Sequence, residues 1–361
     1  MRNLILTLCL AATSYTVLAN CPDTSVYDKA REVIADLGRI ETPNGIQEAF
    51  SVKVNGTEQW VTVRGKDKAN PIILFVHGGP ATPITPQMWQ FQRPLEDFFT
   101  VVNWDQRGAG KTYLLNEPSS LDREINVANY VKDTIELTQY ILQRFDKRKV
   151  ILMGHSWGTI VGMHAALKQP ELYYAYVGIG QVINTRENER LSFDYAVAQS
   201  TVHQNDSALA ELAEIAPYPG DEPLTRDRIV AARKWAQYYG GLTAYRSDSM
   251  YFFRAPLLSP DYRSEDVCAL NQGSLFTLER LLEEFLAVDF FGVKQFPIPV
   301  VMFMGRHDYT TPSEPTYHWM SEVKAPQKHA IWFEHSSHMI PWEEPGRFLV
   351  ELVNVVRPMA E

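Results

Sequence analysis

A serine between two glycines follows an apolar run near the middle of the chain. Residues 154–158 read Gly-His-Ser-Trp-Gly, directly after the apolar residues 150–153 and before a stretch with helical spacing. A strand, a tight turn and a helix in this order lift the hydroxyl of Ser156 to the edge of a sheet, where a base can reach it. One glycine allows the sharp turn and the other lets the helix pack closely beneath the serine. Such a short pattern also arises by chance, so other residues must support it.

An acid and a base follow the serine in the chain order that this motif requires. A nucleophilic serine needs a base to take its proton and an acid to orient that base. Asp308 lies in the loop after the apolar residues 300–304, and the next apolar run leads to His335 and His338. We select His338 as the base, because it lies further into the loop and has more freedom to reach Ser156. We interpret His335 as a hydrogen-bonded loop residue.

Two backbone N–H groups are candidates for the stabilisation of an oxyanion. One belongs to Trp157, the residue after the serine, and the other comes from the loop after an earlier strand. That loop reads His-Gly-Gly-Pro at residues 77–80. Adjacent glycines let the N–H of Gly79 approach a tetrahedral intermediate closely. Alone the pair would indicate only a turn, but beside the serine motif we interpret it as part of an oxyanion hole.

We expect no cofactor and no metal. The spacing of His335 and His338 suits zinc, but no third ligand of matching spacing accompanies them. A second glycine-rich motif, Asp-Gln-Arg-Gly-Ala-Gly at residues 105–110, lacks the pattern that binds a dinucleotide. We expect its Arg107 to anchor neighbouring loops through charged hydrogen bonds.

Composition restricts the partners. The chain has 361 residues, of which 45% are hydrophobic and 21% charged, so it can bury a large core as one domain with an insertion or as two domains. Its formal net charge of −9 argues against a nucleic-acid partner, because phosphate binding needs a basic face. A small peptide or ester substrate is compatible with this composition.

The N-terminus has the features of a secretory signal peptide. Residues 4–19 are mostly apolar, follow Arg2 and end in small residues that predict cleavage after Ala19. A stretch of about 16 residues is short for a membrane span, so we expect no stable membrane insertion after cleavage. The sequence therefore predicts a periplasmic or secreted protein. Lipid attachment at Cys21 is an alternative that the preceding Asn20 disfavours.

Two cysteines remain once the leader and its Cys9 are removed. They are Cys21, close to the mature N-terminus, and Cys268, far along the chain. In an oxidising compartment these two could form one disulfide. Sequence spacing does not decide whether they meet.

Apolar runs separated by helical stretches predict an α/β chain with a mostly parallel sheet. An Asn-Gly turn at residues 55–56 between alternating segments predicts a β-hairpin at the start of the fold. The predicted buried strands lie at residues 72–76, 99–102, 150–153, 174–179, 300–304 and 330–333, and the predicted helices at 127–145 and 159–167.

The alternation of strands and helices stops between residues 183 and 292. This segment contains amphipathic stretches at residues 209–215, 229–239 and 275–286 and carries an excess of acidic residues. We interpret it as a helical cap inserted between two strands of the sheet. The predicted domains are a leader at 1–19, a core at 20–182 and 293–361, and the cap at 183–292.

The motifs together resemble the prolyl aminopeptidase (proline iminopeptidase) family of α/β-hydrolases. The resemblance spans roughly residues 45–357 and implies a triad of Ser156, His338 and Asp308 under a helical cap, without a metal. It also implies release of an N-terminal proline from short peptides. The residues that carry the resemblance are 77–80, 105–110, 154–158, 305–308 and His338.

The chain departs from this family in the cap. The family holds the free amine of its substrate with cap glutamates, one of which follows a tryptophan, and this cap contains no Trp-Glu pair. Glu187 and Glu189 are the candidates for that role. Ala81 also stands where the family usually continues with glycine after His-Gly-Gly-Pro.

These observations favour a serine aminopeptidase of the prolyl type. One alternative is a related esterase or amidase that acts on small substrates without a free amine. Another is a catalytically silent binding protein on the same fold. An epoxide hydrolase or a dehalogenase would need an aspartate in place of Ser156.

Overall fold

The computed structural model describes residues 21–221 and 224–360, so the predicted leader at 1–19 lies outside the described chain. The strands within the described residues are β1 (Ile46–Val54), β2 (Thr57–Gly65), β3 (Ile72–Val76), β4 (Thr100–Asp105), β5 (Val150–His155), β6 (Tyr173–Ile179), β7 (Val300–Gly305) and β8 (Lys328–Phe333). They form one sheet in the spatial order β1-β2-β4-β3-β5-β6-β7-β8. The β1–β2 and β2–β4 pairs are antiparallel and all the others are parallel. The predicted α/β fold with a mostly parallel sheet is confirmed.

The antiparallel edge begins with the predicted hairpin. Its two turn residues, Asn55 and Gly56, have φ angles of 45° and 80°. Asparagine and glycine tolerate this left-handed region, and the resulting turn matches the twist of the flanking strands. The turn pairs Val54 with Thr57 and so sets the register of β1 against β2.

The central strands are buried on both faces. In β3, Ile72, Leu74 and Val76 pack into the core on one side of the sheet, whereas Ile73 and Phe75 pack into the core on the other side. Side chains alternate between faces along a strand, so a strand covered on both faces must be apolar at every position. This is the physical reason why the buried strands could be recognised as continuous apolar runs.

The helices connect the strands and cover both faces of the sheet. The α-helices of the described residues are α1 (Asp28–Leu37), α2 (Gly110–Leu115), α3 (Pro118–Leu121), α4 (Val127–Phe145), α5 (Trp157–Lys168), α6 (Thr185–Val202), α7 (Asp206–Glu214), α8 (Arg226–Ala236), α9 (Met250–Phe253), α10 (Ser264–Leu286), α11 (Ser313–Glu322), α12 (Ile340–Glu343) and α13 (Pro345–Glu351). Short 3-10 or π segments lie at Ser25–Tyr27, Thr85–Gln90, Arg93–Asp97, Pro170–Leu172, Gln237–Gly241, Ala255–Leu258, Leu352–Val356 and Arg357–Ala360. No helix of the described residues is long and apolar enough to cross a membrane.

Helices α6 to α10 lie between β6 and β7, in the segment interpreted as a cap. They have a small apolar core of their own, in which Phe193, Leu212, Ile229 and Trp235 are buried together. Asn184 caps α6 by accepting a hydrogen bond from the Glu187 N–H at 2.9 Å. The segment therefore packs as a helical layer connected to the sheet at both ends.

Helix α10 begins at Ser264, well before the stretch at 275–286 that its amphipathic pattern predicts. Its first half contains Gly273. Glycine is unfavourable inside a helix, so its presence also weakens the sequence pattern from which a helix is predicted. A Cβ atom at Gly273 would lie 2.2 Å from the carbonyl oxygen of Gly108. The glycine thus allows α10 to approach the loop after β4, a contact that the local pattern does not reveal.

The first described residues are attached to the start of α10. Cys21 and Cys268 form a disulfide across a sequence separation of 247. The Arg31 side chain of α1 donates to the carbonyl oxygens of Ser259, at 2.8 Å, and Tyr262. In this structure the sulfur of Cys21 is bonded to Cys268 and is not a free thiol.

Candidate active site

Ser156 occupies the turn between β5 and α5 with a φ of 54° and a ψ of −124°. Non-glycine residues rarely adopt this region, and strain of this kind is typical of a serine on a strand-to-helix elbow. The two flanking glycines are sterically required. A Cβ at Gly154 would lie 2.6 Å from the Gly158 oxygen, and one at Gly158 would lie 2.0 Å from the Val76 oxygen. The elbow therefore packs directly against the end of β3.

Asp308 and His338 meet in the loops after β7 and β8. His338 Nδ1 lies 2.9 Å from Oδ2 of Asp308, and both side chains are almost completely buried. The other oxygen, Oδ1, accepts the N–H groups of Thr310 at 2.9 Å and Thr311 at 2.8 Å. The carboxylate is thus held in place, and it orients the imidazole so that Nε2 is left for another partner.

The neighbours of Ser156 bring His338 beside it. His155 Nε2 lies 3.0 Å from the backbone oxygen of His338, and the two rings are 4.8 Å apart. On the other side, the Ser156 N–H donates to the carbonyl oxygen of Ile179 at 3.0 Å. Gly180 follows Ile179, and a Cβ atom built on it would lie 2.8 Å from the His338 ring. Within the described residues no hydrogen bond joins Ser156 Oγ to His338. Such bonds are often long in unliganded sites, and the three predicted residues share one edge of the sheet.

His335 lies at the surface. Its ring is exposed, and its backbone N–H donates to the Glu344 carboxylate at 3.1 Å. It takes no part in the contact with Asp308, which His338 makes. No group of three or more metal-ligating side chains occurs in the part of the chain that the structure describes.

The His-Gly-Gly-Pro loop passes directly beside the serine. A Cβ at Gly78 would lie 3.0 Å from Cβ of Ser156. Gly79 is exposed and has a φ of 121°, which glycine adopts readily, so its backbone can approach a ligand on Ser156 closely. Trp157 is the first residue of α5, and the N–H groups of a first helical turn have no partner within the helix. The loop that carries Gly79 and the helical turn that begins at Trp157 therefore both adjoin Ser156, and their role as oxyanion donors stays a prediction.

Gln106 links the elements that carry these two donors. Its Nε2 donates to the His77 oxygen at 2.8 Å, and its backbone N–H lies 3.1 Å from Nε2 of His77. Its Oε1 accepts from the Trp157 indole at 3.4 Å. Burial lowers the pKa of His77 to about 4, so its ring is neutral and accepts this N–H at neutral pH. The sequence motif contained Gln106, but nothing local indicated this role.

Arg107 anchors loops, as the sequence predicts. Its Nε and Nη2 lie 2.9 Å and 2.8 Å from the two carboxylate oxygens of Asp133, and both side chains are buried. Nη2 also donates to the Asn55 oxygen at 3.1 Å, and Tyr130 donates to the Arg107 oxygen at 2.6 Å. These bonds hold the loop after β4 between the hairpin and α4.

Both candidate amine anchors in the cap are already paired with arginines. Glu187 is partly exposed and accepts two bonds from Arg190, at 2.7 Å and 3.0 Å. Glu189 is completely buried. Its carboxylate accepts hydrogen bonds from the Arg233 guanidinium, with Nε at 3.1 Å, and from the hydroxyl of Tyr218. Neither glutamate presents an unneutralised carboxylate. Their binding of a substrate ammonium group stays a prediction, and it would require that they exchange these arginine partners for the substrate.

Two residues beside the site escaped the sequence analysis. The Thr311 hydroxyl lies 3.1 Å from both Asp308 Oδ2 and His338 Nδ1. Glu343 accepts a backbone N–H from Ser337, the residue before His338. Its position, five residues after the histidine and just before Glu344 and Pro345, was the only available signal.

The geometry agrees with comparisons to known proteins. The chain matches the Alpha/beta hydrolase family over residues 73–352. A Bacillus subtilis (strain 168) protein named Probable aminopeptidase YbaC is 31% identical to this chain over 300 residues. The aligned part covers 82% of this chain and 92% of that protein. A Neisseria gonorrhoeae protein named Proline iminopeptidase is 24% identical to this chain over 255 residues. The aligned part covers 67% of this chain and 75% of that protein.

A solved structure shows the same fold. The proline iminopeptidase of Mycobacterium smegmatis superposes with a TM-score of 0.62 at 16% identity, covering 87% of this chain and 99% of that chain. At this identity the likeness concerns the fold alone. The sequence relatives confirm the predicted resemblance to prolyl aminopeptidases. The chain belongs to the alpha/beta hydrolase family and is a hydrolase of this fold.

Proposed function

We propose that this protein is a serine hydrolase that releases the N-terminal residue, proline or a similar one, from short peptides through an acyl-enzyme. The observation that carries the proposal is the buried bond between His338 and Asp308, at the same edge of the sheet as the strained Ser156. A carboxylate on Nδ1 holds the tautomer in which Nε2 is a base. The names of the sequence relatives support the aminopeptidase hypothesis.

The proposed reaction has two halves. His338 Nε2 takes the proton of Ser156 Oγ as the oxygen attacks the carbonyl carbon of the first residue, and the N–H groups of Gly79 and Trp157 hold the oxyanion. The protonated imidazole then gives its proton to the leaving amine, which is the shortened peptide. A water molecule, deprotonated by the same histidine, attacks the acyl-serine and releases the amino acid.

A second candidate is an esterase or amidase that accepts small substrates without a free amine. The specific observation in its favour is the pairing of Glu187 with Arg190 and of Glu189 with Arg233. An ammonium group would find no unneutralised carboxylate at either glutamate. Both candidates use Ser156 in the same way and differ only in what the cap recognises.

Turnover of three substrates separates these functions. We expect wild-type protein to hydrolyse prolyl-4-nitroanilide and to lose at least about 10²-fold of kcat/KM when the amine is acetylated. Equal rates for the two anilides would contradict the aminopeptidase proposal, and p-nitrophenyl acetate would then report the esterase. Ser156→Ala should abolish turnover of all three. A fluorophosphonate that leaves Ser156 unlabelled, with no turnover in the wild type, would favour a binding protein.

We further propose that the mature protein is periplasmic or secreted and takes a small peptide or ester, not a nucleic acid, as its partner. The Cys21–Cys268 disulfide supports an oxidising compartment, and the net charge of −9 disfavours phosphate binding. Mass spectrometry of the protein from the periplasm and the medium should show a chain that begins at Asn20. A full-length or acylated chain would contradict the predicted cleavage.

A further inference from the structure

The carboxylate of Glu343 joins the His338 loop to the cap. Its Oε2 accepts the N–H of Ser337, the residue before His338, at 2.8 Å. Its Oε1 accepts the N–H of Ala244, which lies in the cap segment between α8 and α9, at 2.5 Å. One side chain from the end of α12 therefore holds two backbone segments that are remote from each other in sequence.

The same cap segment contacts both loops that carry the proposed acid and base. The His338 N–H donates to the Leu242 oxygen at 3.2 Å. The Gly241 oxygen accepts from the Tyr309 N–H at 3.1 Å and from the Thr310 hydroxyl at 2.9 Å. The position of His338 relative to Asp308 thus depends on where residues 241–244 lie. Glu343 ties that segment to the residue next to His338.

The surroundings of Glu343 make its charge sensitive to pH. Burial above all, together with the negative charge of Asp308, raises its pKa to about 7, although the N–H groups of Ser337, Ala244 and Met339 act in the opposite direction. Tyr251 of α9 also faces it, and its own pKa is raised by burial and by the charge of Glu343. The guanidinium of Arg246 lies 5.2 Å from the Tyr251 ring, on the cap side.

We propose that Glu343 is a positioning residue that, in its ionised form, fixes His338 beside Asp308 by bonding the Ser337 and Ala244 N–H groups at once. An ionised carboxylate accepts on both oxygens, whereas a protonated one carries a hydrogen on one of them and retains a single good acceptor. Protonation therefore releases either the His338 loop or the cap segment. This inference deepens the proposed serine hydrolase function and rests on it for its effect on rate.

Glu343→Gln tests the proposal, because glutamine has the same shape and only one acceptor. The readout is the rate at which a fluorophosphonate labels Ser156, between pH 5.5 and 8.5. We expect the variant to react at least about tenfold more slowly than wild type at pH 8.5, since small misplacement of a base is costly. At pH 5.5 the two rates should lie within about twofold, because the wild-type carboxyl is then protonated and resembles the amide.

Glu334→Gln is the matched control. Glu334 is an exposed carboxylate at the exit of β8, bonded to Arg306 at 2.9 Å, and its replacement should leave the labelling rate unchanged at every pH. A purely structural role of Glu343 would lower the rate by the same factor throughout the pH range. That outcome, or a Glu343→Gln rate equal to wild type at pH 8.5, would overturn the proposal.

Hydrogen exchange of wild-type protein tests the same contact without any substitution. After correction for intrinsic exchange rates, at least one of the two peptides that contain Ser337 and Ala244 should lose about tenfold in protection between pH 8.5 and 5.5, unlike the peptides of β5 and β6. Constant protection would refute the pH-dependent clamp even if Glu343→Gln failed to fold. Failure of Ser156 to react in wild type would instead refute the serine hydrolase function, and exchange would still decide the role of Glu343.

Discussion

Arg233 of α8 binds the carboxylate of Glu189 of α6 in the interior of the cap, where Glu189 is fully buried. A buried carboxylate that faces a guanidinium and a tyrosine hydroxyl is already satisfied as a hydrogen-bond acceptor. Its place in the cap suggested substrate binding, but its partners indicate that it holds α6 to α8. This distinction has consequences for stability and for substrate preference that can be measured separately.

Glu189→Gln should destabilise the protein without changing its preference for a free amine. Glutamine removes the charge from a buried hydrogen bond to a guanidinium, so we expect the free energy of unfolding to fall by about 2 kcal/mol. Urea denaturation measures this change, and the rate ratio of prolyl-4-nitroanilide to its N-acetyl form should stay within about twofold. The control is Glu187→Gln on the same helix, where an exposed pair should be worth less than about 1 kcal/mol. A selective loss of the free-amine substrate would restore Glu189 as an amine anchor.

Asp308→Asn should lower kcat by about 10³- to 10⁴-fold. The amide would place an N–H where Oδ2 now faces Nδ1 of His338, at 2.9 Å, and would favour the tautomer with the proton on Nε2. Steady-state turnover of any accepted ester measures the effect, together with a melting curve to show that the variant folds. Asp289→Asn, an exposed aspartate that accepts the Phe291 N–H at 2.9 Å, should have unchanged turnover. Comparable losses in both variants would contradict the orienting role of Asp308.

Gln106→Leu should lower kcat by about tenfold or more and leave KM within about twofold. The substitution removes the side-chain bonds to His77 and Trp157, which hold the two proposed oxyanion donors at a fixed separation. Donors aimed at the developing charge act mainly in the transition state, so their displacement affects kcat more than KM. Initial-rate kinetics over a range of substrate concentrations separate the two constants. An unchanged kcat, or a rise in KM alone, would show that Gln106 only packs the loops.

Gly158→Ala should prevent stable folding around the elbow. The added methyl would lie 2.0 Å from the Val76 oxygen and 2.6 Å from the His77 oxygen, and neither backbone oxygen can move without disturbing β3. We expect a loss of more than about 3 kcal/mol, by chemical denaturation, or no soluble protein. Gly292→Ala is the matched control, because its Cβ would meet no atom within 4 Å, and it should cost less than about 0.5 kcal/mol. Wild-type stability in Gly158→Ala would mean that the elbow packs more loosely than the structure shows.

Local patterns revealed the sheet and the order of the proposed catalytic groups. Strands β3 and β5 are buried on both faces, and the continuous apolar runs that such burial requires are visible in the sequence. The elbow at Ser156 is local as well, because its geometry requires glycine at two fixed positions beside it. Once parallel strands are inferred, the loops that carry Asp308 and His338 must share an edge with Ser156. The choice of His338 over His335 followed from position within one loop.

The partners within and around the cap were decided by tertiary structure. Glu189 meets Arg233 across 44 residues, and Glu343 meets Ala244 across 99. Neither periodicity nor motif spacing encodes such pairings, because they depend on how helices of the insertion pack over the sheet. Before the fold is known, a charged residue on a cap helix most often indicates a solvated face, and its type and position alone do not identify a ligand site or a buried ion pair. The sequence by itself therefore determined which edge of the sheet carries the proposed nucleophile, base and acid, whereas packing alone decided which cap residues remain available to a substrate.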